Sequence, residues 1–307
     1  MSAPLNPPQV YIDLREEGLN NTQIADRLGV SEASVRRGLR GKYKPYLIPS
    51  YARKRLDVRL EKPLNIDVAK QGAGCVTADW HHPLADYELI NTFLDHAVDV
   101  GATNWLIIAG DWFNIDALSA FDYKQEEAGM AQELYGSTLT MERVLTVFDN
   151  VYLSWGNHDA RVHRALGYKV PFAQAMRMMF ADLDNDLMER VFLSNLDNIT
   201  VDTPNGPYAV VHPKNYSQAP LAGSRKLASK YLSHVLTGHS HHTAIGHDPS
   251  GKFVCGELGG FFDIAKTGYL QRTTTFPNWQ QGYGIIDAEG YLTIEGQGWS
   301  SRIGRRA

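Results

Sequence analysis

The sequence has little cysteine and no long apolar run. Its 307 residues include two cysteines, Cys75 and Cys255, which allow at most one disulfide. A small secreted domain held by several disulfides is therefore excluded. Both cysteines lie in apolar, strand-like segments, so we expect buried thiols in a reducing cytoplasm. No apolar run approaches the roughly 18 residues that a membrane-spanning helix needs, and the N-terminus carries no secretory apolar region. The sequence thus predicts a cytoplasmic protein without a membrane partner.

Internal repeats and low-complexity tracts are also missing, which excludes solenoid and fibrous architectures. The remaining composition is that of a globular protein, 43% apolar and 21% charged, with length for one large domain and a small one. The net charge of -4 is unevenly distributed. Residues 1–60 contain eleven Lys and Arg against six Asp and Glu, whereas the remainder contains nineteen against twenty-eight. A basic head on an acidic body indicates an anionic partner for the head, with solvated surface charge as the alternative.

Residues 1–45 are predicted to form a small all-α domain of three helices. Apolar residues recur there at helical spacing, Gly18 and Gly29 end the first two helices, and Ser31 precedes the third. The small Ala25, the turn at Gly29 and the apolar Val35 have the spacing that is typical of a DNA-binding helix-turn-helix. A helix pair used only for protein contacts is the alternative.

Basic side chains dominate the end of this head and the segment after it. The third helix would present three arginines to DNA, namely Arg36, Arg37 and Arg40. Residues 46–71 then read as a basic, Pro-containing linker, which could follow phosphates or serve as a solvated connector.

Residues 72–307 are predicted to form an α/β domain, because buried strands alternate with amphipathic helices in the order β-α-β-α-β. This order implies a parallel sheet whose functional residues gather at the carboxyl ends of the strands. Metal-ligating or proton-carrying side chains follow five strand ends: Asp79, His81, Asp111, Asn157, His158, Asp159, His212, His239 and His241. The donors are oxygen and nitrogen without sulfur, which fits Mn, Fe, Zn or Ni and excludes a structural zinc site of the Cys type.

Taken in order, these blocks resemble the calcineurin-like metallophosphoesterase family, and with the helical head they resemble its repair-exonuclease branch. The blocks are Asp79-x-His81, Gly110-Asp111, the run 156–159, His212 and Gly238-His239-x-His241. The resemblance covers roughly residues 72–245 by motif. It implies a four-layer α/β/β/α sandwich, here preceded by the helix-turn-helix domain.

The resemblance also implies two divalent transition metal ions, with Mn favoured. The family pattern assigns Asp79, His81 and His241 to the first metal. It assigns Asn157, His212 and His239 to the second metal. Asp111 would bridge both ions.

The same pattern suggests roles for the residues beside the ligands. His158 would carry the proton for the leaving group, and Asp159 would orient its imidazole. Asn114 stands where the family often has Asp or His, which could shift the contact with the substrate, and Pro213 replaces the usual Gly after His212. Two arginines just past the core motif, Arg161 and Arg164, could clamp a phosphate, with surface helix charge as the alternative.

Aromatic residues interleaved with Lys266 and Arg272 are a further feature of the C-terminal third. They could stack nucleic-acid bases, although packing in the core and loops is the alternative. The residues are Phe261, Phe262, Tyr269, Phe276, Trp279 and Tyr283.

The implied function is that of a two-metal-dependent phosphodiester hydrolase, a DNA nuclease or exonuclease whose nucleophile is a hydroxide bridging the metals. The motif indicates the hydrolase, and the head alone indicates DNA as partner. Two alternatives stay open. One is a phosphatase or cyclic-nucleotide phosphodiesterase with a regulatory head, and the other is a DNA-binding regulator with an inactive phosphoesterase domain. A homo-oligomer is compatible with the sequence.

Overall fold

The computed structural model describes residues 8–40, 61–119, 129–267 and 277–304. These residues belong to two compact units, Met1–Leu60 and Glu61–Ala307. Each unit has its own apolar core.

Three short helices form the first unit: α1 (Pro8–Glu16), α2 (Asn21–Leu28) and α3 (Glu32–Arg40). Asn20 caps α2 through its side chain, and Gly29 ends it in the left-handed conformation at a φ of 61°. The core of this unit consists of the buried side chains Tyr11, Leu14, Ile24, Ala25 and Val35. The predicted all-α head and its apolar positions are thus present, and the side chain of Arg40 lies outside the described part.

The second unit contains two β-sheets. Its described strands are β1 (Leu64–Asp67), β2 (Gly74–Thr77), β3 (Trp105–Ala109), β4 (Asn150–Ser154), β5 (Val191–Leu193), β6 (Asn198–Asp202), β7 (Tyr208–Val211), β8 (His234–Thr237), β9 (Thr243–His247), β10 (Val254–Leu258), β11 (Gly282–Ile286), β12 (Leu292–Gly296) and β13 (Trp299–Ile303). Six of them form a sheet in the order β1-β6-β7-β8-β10-β9, and seven form a sheet in the order β13-β12-β11-β2-β3-β4-β5.

Helices cover the outer faces of these sheets. Those described are α4 (Val68–Gln71), α5 (Tyr87–Asp99), α6 (Met130–Leu145), α7 (Ala160–Ala165), α8 (Phe172–Met179), α9 (Asn185–Met188) and α10 (Ala222–Tyr231). Buried residues of α5, α6 and α8 pack on the seven-stranded sheet, and α10 packs on the six-stranded sheet beside Val235 and Cys255.

Strand β3 shows why the layers are arranged in this way. Its side chains alternate, so that Ile107 faces the core between the sheets while Leu106 and Ile108 face the helices. All five residues of β3 are buried, as expected for a parallel strand that is covered on both faces. The predicted four-layer α/β/β/α sandwich is confirmed.

The boundary of the predicted linker is wrong at its C-terminal end. Leu64–Asp67 is a strand that pairs in parallel with β6, and Val68–Gln71 is a helix within the second unit. Ile66 is fully buried between the sheets, so its apolar burial fixes this segment to the domain. Residues 46–60 of the predicted linker lie outside the described residues.

The structure also agrees with the prediction of buried thiols. Cys75 and Cys255 are both free and buried. In the described ranges, every helix is too short or too polar to cross a bilayer.

Candidate metal centre

The metal-ligating side chains predicted from the sequence converge at the carboxyl ends of strands from both sheets. β2, β3 and β4 are parallel neighbours in one sheet, and they are followed by Asp79, Asp111 and Asn157. β7 and β8 are parallel neighbours in the other sheet, and they are followed by His212 and His239. The packing of the two sheets therefore brings residues from distant parts of the sequence to one place.

These side chains form two groups that Asp111 connects. In the first, Asp79 Oδ1 lies 3.2 Å from His241 Nε2 and 3.7 Å from His81 Nε2. The second contains Asp111, His212 and His239, whose potential ligand atoms all lie within 4.8 Å of one another. Asp111 Oδ2 is 3.4 Å from His212 Nε2 and 3.9 Å from His81 Nε2, so one carboxylate oxygen faces both groups. This is the position that a bridging ligand must occupy.

The donor chemistry fits divalent cations. His212 Nδ1 lies 2.9 Å from the carbonyl oxygen of Ala109. Since a carbonyl only accepts, Nδ1 carries the proton and Nε2 is left with a lone pair. That lone pair faces Asn157 Oδ1 at 3.1 Å as well as Asp111 Oδ2. While His212 is neutral these three atoms are all electron-rich, so positive charge is favoured between them, either as a metal ion or as a proton on Nε2. Burial by itself would lower the pKa of His212, but Asp111 foremost raises it above its usual value.

Two further observations favour a cation at the first group. Asp79 Oδ1 is buried and makes no regular hydrogen bond within the described residues, although His241 Nε2 lies 3.2 Å away. Burial by itself would raise the pKa of Asp79, but the neighbouring imidazoles, His241 foremost, lower it well below its usual range. The carboxylate is thus kept ionised beside ring nitrogens that can bind a metal.

The backbone of the ligand loops is held in an unusual conformation. Asp79, His81, Asp111, His239 and His241 all have positive φ values, between 50° and 73°. Each such residue costs on the order of 1–3 kcal/mol and persists only where its surroundings enforce the conformation. Residues of this kind cluster at functional sites, where strain is exchanged for the orientation of a side chain.

Close backbone approach explains a glycine in the motif. A Cβ atom on Gly156 would lie 2.1 Å from Asp111 Oδ1. The loops after β3 and β4 therefore touch through a position that has no side chain. With Gly156 in place, the amide of His158 donates to Asp111 Oδ1 at 2.7 Å.

Asp159 does not orient the imidazole of His158, and this prediction is wrong. Its Oδ2 accepts from the amides of Asp111 at 2.7 Å and Gly156 at 3.0 Å, and its Oδ1 accepts from the amide of Phe113 at 3.0 Å. Both oxygens are thus engaged by backbone donors. The side chain is fully buried, and it joins the loops after β3 and β4.

His158 takes its orientation from Asn114 instead. Its Nδ1 lies 3.0 Å from the Asn114 carbonyl oxygen, which makes Nδ1 the donor and leaves Nε2 free to exchange a proton. Burial lowers the pKa of His158 to about 3, against the opposing effect of the Asp111 carboxylate. The ring lies edge-on to His81 with 4.6 Å between centroids, so His158 is beside the metal ligands.

The three residues predicted to contact the substrate do not all lie at the site. Arg161 lies at the site, where its Nη1 donates to the Asn114 carbonyl at 2.6 Å and to Asp116 Oδ1 at 2.9 Å. The side chain of Asn114 donates to Asp116 Oδ2 at 2.8 Å, so its backbone rather than its amide faces His158. Arg164 is exposed on α7.

Sequence reasoning missed Glu133, a buried carboxylate on α6. Its Oε1 accepts from the amides of Asn114 at 2.8 Å and Ile115 at 2.7 Å, and it thereby holds the segment that orients His158 and Arg161. Ile115 has a φ of 53°, a strained value for a β-branched residue. The signal in the sequence is the helical spacing of Glu133 with buried residues later in α6.

The sequence matches a known family over most of the sandwich. Residues 75–255 match the sequence model of the calcineurin-like phosphoesterases. Among curated proteins, none matches this chain.

Solved structures with a similar arrangement include two forms of Vps29. The wild-type protein from Entamoeba histolytica, in a complex with Zn²⁺, is 13% identical, with a TM-score of 0.39 over 76% of this chain and 98% of that chain. The protein from Chaetomium thermophilum is 9% identical, with a TM-score of 0.39 over 77% of this chain and 97% of that chain.

The buried carboxyl of Glu133 predicts a specific pH dependence of stability. Burial raises the pKa of Glu133 from 4.5 to about 7. Between these values the folded protein keeps a proton that the unfolded chain loses, so the free energy of unfolding falls as the pH rises. Glu133→Gln keeps the acceptor oxygen and removes this titration. Above pH 7 we expect the variant to be more stable than the wild type by on the order of 2–3 kcal/mol, with the difference shrinking toward pH 4.5.

Urea unfolding at about pH 5, 6, 7 and 8 measures this difference. Glu142→Gln, at a partly exposed position of the same helix, is the matched control and should follow the wild-type curve. A pH-independent difference between Glu133→Gln and the wild type would contradict the assignment.

Proposed function

Because this chain belongs to the calcineurin-like phosphoesterase family, we propose that it is a two-metal-dependent phosphodiester hydrolase that acts on DNA, as in the repair-exonuclease branch. The proposal of a two-metal hydrolase rests on the position of Asp111 Oδ2, which faces the imidazoles of both ligand groups. Asp79, His81 and His241 would hold one ion with Asp111, and Asn157, His212 and His239 would hold the other. Mn²⁺ is our choice of metal among Mn, Fe, Zn and Ni, all of which fit the oxygen and nitrogen donors.

When bound, two such ions neutralise the phosphate oxygens and activate water for attack on phosphorus. The remaining work falls to residues beside the ligands. His158 Nε2 is the nitrogen that the Asn114 carbonyl leaves unprotonated in the neutral imidazole, and it is suited to exchange a proton with the leaving oxygen. Arg161 Nη2 lies 3.5 Å from that nitrogen and adds positive charge where an anionic ester enters. The negative ester favours the imidazolium that burial and Arg161 disfavour in its absence.

DNA is proposed as the substrate because of the helical head. Arg36 and Arg37 are exposed on α3, which follows α2 through a tight turn at Gly29. The contact of Arg36 with Glu32, at 3.2 Å, joins side chains that are 66% and 40% exposed. Such a pair contributes little to stability, so the guanidinium can exchange it for a DNA phosphate. We place the protein in the cytoplasm, because both of its thiols are free.

One assay separates the candidate substrates. The full-length protein with Mn²⁺ is offered an aryl phosphodiester, an aryl phosphomonoester, a cyclic nucleotide, and single- and double-stranded DNA. Hydrolysis of DNA and of the aryl phosphodiester supports the proposal. Turnover confined to the phosphomonoester or the cyclic nucleotide would instead favour a small-molecule phosphoesterase, and no turnover of any substrate would favour a non-catalytic DNA-binding protein.

The bridging position of Asp111 predicts the effect of its substitution on metal content. Wild-type protein reconstituted with Mn²⁺ should contain two metal ions per chain by elemental analysis. Asp111→Asn should lose most of both, since the bridging carboxylate serves each ion. Asp116→Asn, a carboxylate that contacts Arg161 rather than the ligands, is the control and should keep both ions. A wild-type protein that retains one ion or none would refute the two-metal proposal.

The position of His158 predicts a loss of turnover without loss of metal. His158→Ala should lower kcat on DNA by about 10² to 10⁴, as expected when a general acid is removed. An aryl diester with a good leaving group should lose less, because its leaving oxygen needs less protonation. If the two substrates lose rate equally, His158 acts through binding or structure and is not the acid.

The exposed arginines of α3 predict the salt dependence of DNA binding. Each phosphate contact that is removed should lower the slope of log affinity against log salt by about 1. Replacing Arg36 and Arg37 by Ala should therefore weaken duplex binding and flatten its salt dependence, while the hydrolysis of a small aryl diester stays unchanged. Arg27→Ala is the matched control, because Arg27 is an exposed head arginine on α2. A double variant with wild-type binding across the salt series would show that the head does not read DNA.

A further inference from the structure

An aromatic side chain that is at least partly exposed lies against each ligand group of the metal centre. Tyr216 lies edge-on to His239, with 5.1 Å between ring centroids and 87° between planes. Trp279 lies edge-on to His241, with 4.7 Å between centroids and 76° between planes. His239 belongs to the second group and His241 to the first. The two rings therefore mark different parts of the centre.

Packing in the core does not account for Tyr216. Its side chain is 59% exposed, although it touches a metal-ligating histidine. Phe262 shows the contrast, since it is 2% exposed and packs edge-on against His81 and His241 as part of the wall of the site. A large aromatic side chain that stays exposed at the edge of a polar site offers a flat apolar face to a ligand.

The ring plane of Trp279 is fixed beside the metal centre. It contacts Phe262 at 5.6 Å and 81°, in addition to His241, so two edge-on neighbours fix its plane. The indole remains partly exposed. An aromatic ring that is fixed in orientation and partly open to solvent binds a flat ligand at low entropic cost.

We infer that Tyr216 and Trp279 are base-stacking residues, which bind the nucleobases on the two sides of the scissile phosphate. This inference rests on the proposed function. A phosphodiester carries a nucleoside on each of its two ester oxygens, and the two rings, one beside each ligand group, offer one stacking face for each nucleoside. Every base has a π face, so stacking at these positions accepts any sequence.

The test uses three DNA dinucleotides with Mn²⁺-loaded full-length protein. One has both bases, one has a tetrahydrofuran abasic sugar on the 5′ side, and one has it on the 3′ side. Stacking is worth about 1–3 kcal/mol per base, so Tyr216→Ala should lower kcat/KM on the intact dinucleotide by about 5- to 150-fold. That loss should disappear when the base on one side is removed. The loss caused by Trp279→Ala should disappear when the base on the other side is removed.

Matched variants separate stacking from structure. Tyr216→Phe and Trp279→Phe keep an aromatic ring and should retain most of the wild-type kcat/KM. Tyr135→Ala removes a tyrosine that is 63% exposed on α6, and it should behave as the wild type. Elemental analysis should find the same metal content in every variant.

Three outcomes overturn the inference. The first is a Tyr216→Ala variant that is as active as the wild type on the intact dinucleotide. The second is a Tyr216→Ala variant that loses kcat/KM equally on all three dinucleotides, which would assign its effect to His239. The third is a dependence of the Tyr216 and Trp279 variants on the same base, which would refute the two-sided arrangement. A wild-type protein that cleaves none of the three dinucleotides would overturn the proposed nuclease itself, and this result is distinct from the others.

Discussion

The metal centre depends on the hydrogen bonds that backbone amides donate to the buried carboxylate of Asp159. This carboxylate accepts three hydrogen bonds from backbone amides, at 2.7, 3.0 and 3.0 Å, and these amides belong to the loops after β3 and β4. Burial and the nearby Asp111 raise the pKa of Asp159 to about 7, which shows the cost of a charge at this place. The three N–H donors offset that cost. The side chain is therefore a structural brace for Asp111 and Asn157 rather than a participant in proton transfer.

Strain in the ligand loops is balanced by contacts of the same kind. Asp79 is in the left-handed region, and its Oδ2 accepts from the amide of His239, another left-handed residue, at 2.8 Å. On the other side of the centre, Glu133 holds the amide of the strained Ile115. Each strained loop is thus tied by a carboxylate to a neighbouring segment. These hydrogen bonds within the protein hold the site in place without a bound metal or substrate.

Strand periodicity predicts the parallel sheet and the gathering of polar side chains at the carboxyl ends of its strands, whereas the four-layer sandwich and the assignment of ligands come from the resemblance to the family. Residues that come after buried strands must lie at one edge of a parallel sheet, and Asp79, Asp111 and Asn157 do. The roles of Asp159 and Glu133 could not be predicted in this way. Their partners are backbone amides of other loops. Since every residue except proline has a backbone N–H, the sequence does not show which amide a carboxylate will contact. The exposure of Tyr216 likewise depends on how loops pack, which periodicity does not encode.

The origin of the ligands in two sheets has a consequence for folding. Asp79 and Asp111 follow strands of one sheet, whereas His212 and His239 follow strands of the other, so the centre exists only after the two sheets have packed together. Contacts between distant parts of the sequence form late and slowly. An ion bound at this centre therefore favours the native state over partly folded states, in proportion to its concentration relative to its dissociation constant. The concentration of a metal that binds here would then set the fraction of chains that are folded.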